Sequence, residues 1–126
     1  MNYYLVLGAT NEVMEHAQLY SDENLANKAT LCFAGSESTS LAAGVIAHSK
    51  DAGVSRRALY LSLNIEAASL GPHSDIYVLV RSVPYLHSTT GARVFYNEQE
   101  AQAEVDNFNS AVSRANFHAY LFTFTL

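Results

Sequence analysis

The sequence predicts an α+β fold: a mixed, mostly antiparallel sheet from two ββαβ-like copies with helices packed on it. Three observations carry this. Apolar residues make up 49% of the chain and charged ones 15%, a globular composition. The last third reads as a strand, a capped helix and an alternating strand. An earlier stretch follows the same plan: residues 17–26 align with 92–101 through both Ala pairs and Glu23 with Glu98, residues 58–65 parallel 119–126, and residues 3–7 parallel 76–80. The pseudo-repeats therefore span approximately 1–66 and 75–126 within a single domain, 1–126.

Taken in order, residues 3–7 are apolar on both faces, as in a central strand covered on both sides. Residues 8–11 end that strand. The stretch through Glu12, Glu15 and His16 reads as a polar loop anchored by Val13 and Met14, and Leu19-Tyr20 as a short strand. Ser21 or Asp22 caps a helix with Leu25, Ala26, Ala29 and Phe33 on its packed side. Cys32 falls on the buried side of that helix end. After a polar break at 35–40, Leu41, Val45 and Ile46 predict a further helix running to Gly53, a natural stop. This inserted segment has no counterpart in the second copy and is a candidate contact surface.

Arg56-Arg57 lead into a strand at 58–65, and Gly71-Pro72-His73 reads as a turn between the halves. A strand at 76–83 stops at Pro84, and a loop leads to the strand 92–96. Asn97 caps the next helix with Glu100 three residues on. Glu98, Glu104 and Asp106 suit its positive end and Arg114 its last turn. Ala101, Val105, Phe108, Val112 and Ala115 form its apolar stripe. In the final strand Tyr120, Phe122, Phe124 and Leu126 share one face, and Leu121, Thr123 and Thr125 the other.

Composition narrows the function classes. A net charge of −5 argues against direct nucleic-acid binding, which needs a basic face. A single cysteine allows no intrachain disulfide, no apolar run reaches membrane-span length, and a cytoplasmic protein is expected. Gly8 lacks the further glycines of a dinucleotide-binding G-x-G-x-x-G. His87-Ser-Thr89 has the H-x-T form of two-histidine phosphoesterases, but no second copy exists to supply the partner acid or base. Arg81, Ser88-Thr-Thr90 and Glu98-Gln-Glu100 follow an ADP-ribosyltransferase order at far too compressed a spacing. The five histidines lack metal-ligand spacing. No catalytic residue, metal or cofactor is expected.

Two functional readings follow. In the first, this is a small non-enzymatic protein-binding protein, of inhibitor, immunity or phage or mobile-element accessory type. Seven of the eight tyrosines fall in or beside predicted strands, and tyrosine is enriched at protein interfaces. A sheet with helices on one face also needs cover on the other, from the inserted segment or from a second copy in a homodimer. In the second, the chain is an enzyme or binder of a small molecule, with a pocket at the seam of the two copies near His87. Arg81, Tyr85, His87, Arg93 and Tyr96 are its binding residues, a cationic and aromatic group suited to a carboxylate or phosphate.

Overall fold

The structure, a computed structural model, describes residues 1–11, 13–35, 40–70, 75–82, 86, 90–110 and 118–126. Its elements are β1 (Asn2–Thr10), β2 (Val13–Tyr20), α1 (Glu23–Ala34), β3 (Ala47–Asp51), β4 (Val54–Asn64), β5 (Asp75–Ser82), β6 (Gly91–Phe95), α2 (Glu98–Asn109) and β7 (His118–Thr125). The class is α+β and every strand pairing described is antiparallel. The strands divide between two sheets: a four-stranded sheet of order β2-β1-β4-β3 and a three-stranded sheet of order β6-β5-β7.

The two sheets lie face to face, with one helix on each outer side. Leu5, Leu7 and Ala9 of β1 and Leu59 and Leu63 of β4 pack with Ile76, Val78 and Val80 of β5 in one buried cluster. The intervening residues of β1 and β4, Val6 and Tyr60, meet α1 through Ala26. On the second sheet Leu79, Phe95 and Ala119 meet Ala101 and Val105 of α2. Strands that read as apolar on both faces thus have a helix on one side and the other sheet on the other. The second cover is internal.

Local chemistry explains most elements. Asp22 caps α1 by accepting from the backbone N–H of Asn24 at 2.7 Å, and Gly35 closes it in the left-handed conformation at φ 65°. Asn97 caps α2, accepting from Glu100 N–H at 3.1 Å. The α2 stripe is buried at Ala101 and Val105, with Phe108 packed beside them; Val112, Arg114 and Ala115 lie outside the described residues. The last strand alternates as expected, with Tyr120, Phe122, Phe124 and Leu126 on the inter-sheet core and Leu121 on the α2 side.

Four expectations are corrected. The stretch from Val13 is not a loop but the first half of β2, paired with β1. Its register shifts between Gly8 and Ala9, so Met14, Ala17 and Leu19 all face the inter-sheet core despite odd and even numbering. Gly8, expected to end β1, lies inside it.

No helix follows Leu41. Residues 40–46 run irregularly beside α1, with Leu41 packed near Tyr60 and Ala26, and β3 then forms a hairpin with β4. Ala52 and Gly53 have φ of 51° and 79°, so Gly53 serves a two-residue turn with both central residues left-handed, as in type I′, and not a helix end.

The third and fourth corrections share one cause. Ala26, Ala29 and Phe33 pack inward as expected, but the fully buried line runs from Ala26 through Thr30 to Ala34, which turns the packed side away from Leu25. These small side chains let the helix lie close on the sheet, and Leu25 turns outward at 54% exposure. Cys32 is likewise exposed, not buried. Among the described residues no helix is long and apolar enough to cross a membrane.

Candidate functional site

Of the five binding residues expected from sequence, Arg81 and Arg93 come together. Antiparallel pairing sets Arg81 opposite Gly91 and Leu79 opposite Arg93, so the two arginines are diagonal neighbours on the α2 face. They line a cleft of about 70 Å³ with Leu79, Glu104 and Phe108. The Arg93 guanidinium lies 4.8 Å from the centroid of the Phe95 ring. With a carboxylate among its walls and so little room, the cleft suits a local charge contact better than a ligand. Tyr96 faces the inter-sheet core instead, and its hydroxyl accepts from Glu66 N–H at 2.8 Å. Tyr85 and His87 lie outside the described residues.

A larger hollow, of about 560 Å³, lies beside the β3–β4 hairpin. The first sheet has four strands and the second three, and β3 is the added edge strand. On the inter-sheet face of β3, His48 and Lys50 are exposed. Ala9, Asn11, His48, Lys50, Gly53, Ser55 and Arg57 line the hollow. Register explains their grouping: His48 pairs with Arg57, Lys50 with Ser55, and Arg57 in turn with Ala9, whose side chain belongs to the inter-sheet core.

Hydrogen bonds hold the walls in place. His48 Nε2 and Ser55 Oγ share one at 2.9 Å. Asn11, left-handed at φ 49°, accepts from Ser55 N–H through its side chain and donates to the Ser55 carbonyl through its backbone, both at 2.8 Å. Arg57 donates to the Leu86 carbonyl at 3.5 Å, so the hollow's rim reaches Leu86. Reading Gly53 as a helix end hides this group, because the turn at Ala52-Gly53 is what brings Lys50 and Arg57 together. Placing a two-residue turn at Ala52-Gly53 would have set 48 across from 57 and 50 across from 55.

The tyrosines are used internally more than expected. Tyr60 is 1% exposed, packs edge-on to Tyr4 with ring centroids 6.2 Å apart, and donates to Glu23 and to the Leu41 carbonyl. Burial first, and then the Glu23 hydrogen bond and charge, push its phenol above the ordinary value of 10.0. Tyr3, Tyr96 and Tyr120 pack against the inter-sheet core and Tyr77 against α2.

The sheet edges differ from one another. The β2 edge carries Glu15 and a register irregularity, β3 carries Lys50 and Asp51, and β6 is five residues long with Arg93. Strand β7 is eight residues long, and residues 119–126 contain no charge, proline or glycine. Among the described residues it pairs with β5 alone. A groove lined by Tyr3, Gln18, Leu19, Ser21, Phe124, Thr125 and Leu126 runs beside it.

Among the described residues no group of three or more His, Cys, Asp or Glu side chains could hold a metal ion. Comparison with protein-family models, with curated proteins and with solved structures finds no match.

Proposed function

We propose that this chain is a small non-enzymatic binding protein, of inhibitor, immunity or phage or mobile-element accessory type, acting in the cytoplasm by contact with another protein. The observation that carries the reading is the edge of β7. Unpaired strand edges are templates for another chain, and folded proteins blunt them with charge, proline, bulges or short length. Three edges here have such protection, and among the described residues β7 carries no charge, proline or bulge. Its aromatic face is also incompletely covered: Tyr120, Phe122 and Phe124 are half-buried, whereas Ile76, Val78 and Val80 on β5 are fully buried. A strand added beside β7 extends the three-stranded sheet and closes over the adjoining groove.

A second copy of the chain is one such partner, because β7 paired antiparallel with itself aligns its apolar faces. Internal duplication belongs to the same reading. Its support is shared connectivity: β1 lies between β2 and β4, as β5 lies between β6 and β7, with a helix before the last strand of each set.

The test is affinity capture and native mass measurement on the wild type and on Thr123→Lys. Thr123 is exposed on β7, and lysine there supplies the missing protection. The expected result is a stoichiometric protein partner, or a homodimer of twice 13.8 kDa, lost in the variant while its circular dichroism and denaturation midpoint are kept. A partner retained by the folded variant, or a wild-type monomer with nothing attached, overturns the reading.

A further inference from the structure

We infer that the outer edge of β7 pairs antiparallel with β7 of a second copy of this chain, about a two-fold axis perpendicular to the three-stranded sheet. The inference rests on the proposed reading of β7 as a contact edge and names its partner. Topology marks the place. Strand β1 is flanked by β2 and β4, and β5 by β6 and β7; β4 and β7 are the flanking strands that come after α1 and α2 in the chain. The outer side of β4 carries β3, antiparallel, from Ala47 opposite Ala58 to Asp51 opposite Val54. Among the described residues the equivalent place beside β7 holds no strand.

Burial follows the difference. Leu59 and Tyr60 of β4, on its two faces, are both buried. On β7 Tyr120, Leu121, Phe122 and Phe124 are only half-buried, and Thr123 and Thr125 are exposed. Leu121 packs on the α2 side and the three aromatic residues on the inter-sheet core, so each face of β7 has its cover. Solvent therefore reaches β7 along its edge.

The chemistry of the place selects the occupant. The adjoining groove, between Tyr3 and Leu19 of the first sheet and Phe124 and Leu126, has no charged side chain in its lining. An incoming strand must be uncharged, because a charge buried there would lack a partner, and it must turn large apolar residues toward the inter-sheet side at alternate positions. The other edge strands carry charge, Glu15 on β2, Lys50 and Asp51 on β3 and Arg93 on β6. Residues 119–126 carry none and alternate as required, so β7 meets the conditions that its own edge sets. An axis perpendicular to the sheet pairs even-numbered residues with even-numbered ones, which keeps Tyr120, Phe122 and Phe124 of both copies on one face. The Tyr120 and Phe122 rings already stack with centroids 6.5 Å apart at 19°, and the second copy continues that row of rings. The two His118 side chains lie at opposite ends of the paired strands, so no like charges meet.

The test is sedimentation equilibrium and backbone amide exchange on the full chain, as wild type, Thr123→Lys and Asp51→Asn. The last makes the same change in net charge at the β3 edge, where Asp51 is exposed. The expected result is a wild-type dimer of twice 13.8 kDa, kept in Asp51→Asn and lost in Thr123→Lys with the circular dichroism of the folded chain unchanged. In an antiparallel pair each strand turns alternate N–H groups toward its neighbour, so β5 protects every second amide of β7. The dimer protects the others between 119 and 125 as well, a pattern read on the wild type without any variant. A dimer kept by folded Thr123→Lys, or one whose alternate β7 amides exchange freely, overturns the inference. A wild-type monomer that captures a different protein, with capture lost in Thr123→Lys, overturns the second copy and leaves β7 as the contact edge. A monomer with nothing attached overturns both.

Discussion

Replacing Gly8 by alanine tests the packing of α1 on the first sheet at a single point. Gly8 is inside β1, between Ala58 on β4 and His16 on β2. A Cβ there would lie 2.6 Å from Phe33 Cε1 and 2.7 Å from both Cδ1 and Cζ. Carbon atoms pack at about 3.5–4.0 Å, so the ring must retreat by about 1 Å. It is not free to do so without loss, because it stacks on His16 with centroids 5.6 Å apart at 30°.

Overpacking of this kind costs about 1–3 kcal/mol. Alanine recovers about 0.5–1 kcal/mol over glycine within a strand. The net expectation is a loss of about 1–2 kcal/mol, read as a lower urea midpoint at unchanged slope. The decisive comparison repeats the change in a Phe33→Ala background, where the new methyl meets no ring. There Gly8→Ala should stabilise by about 0.5–1 kcal/mol, which reverses the sign. An equal loss in both backgrounds would refute the idea that glycine is required by the ring.

Two further predictions concern Tyr60 and the β3–β4 turn. Tyr60→Phe removes hydrogen bonds of 3.1 Å to Glu23 and 3.0 Å to the Leu41 carbonyl, and should cost about 1–2 kcal/mol in denaturant titration. Because the folded phenol titrates above the unfolded value of 10.0, its contribution is present below pH 10 and is lost as pH rises through the folded value. The gap between wild type and Tyr60→Phe should therefore shrink in strong alkali, and a gap independent of pH refutes the assignment. In the turn, Ala52→Asn should stabilise by up to about 1 kcal/mol because asparagine tolerates a positive φ, whereas Gly53→Val should destabilise by about 1–2 kcal/mol. The reverse order of midpoints would rule out the left-handed turn.

Elements with strong local chemistry were legible in the sequence. Both helix starts follow from Asp22 and Asn97, and β7 follows from unbroken alternation. What escaped was decided between elements. The β2 irregularity shifts the phase between Met14 and Ala17, so no single period of two runs through the strand. Leu41, Val45 and Ile46 have helical spacing, but the chain there packs Leu41 beside Tyr60 and turns Val45 outward at 46% exposure. Apolar faces on β1 and β5 predict two covers each without saying that each strand's second cover is the other sheet. The expected patch divided for a related reason: Arg93 and Tyr96 fall on opposite faces, with Arg93 lining the α2-side cleft and Tyr96 packing on the inter-sheet core.

The pairing of the two sheets has a consequence for the order in which the protein is made. Every strand of the first sheet lies within residues 2–64 and every strand of the second within 75–125. A ribosome therefore releases a complete hydrogen-bonded ladder while Leu5, Leu7, Leu59 and Leu63 still lack their cover. At usual elongation speeds the rest of the chain takes about 3–12 s to appear. Strand β7 emerges after β5 and β6, and it carries Tyr120, Phe122 and Phe124 to that same core. Loss of β7 would thus uncover an apolar face formed by residues more than fifty positions earlier in the sequence, Leu5, Leu7, Leu59 and Leu63.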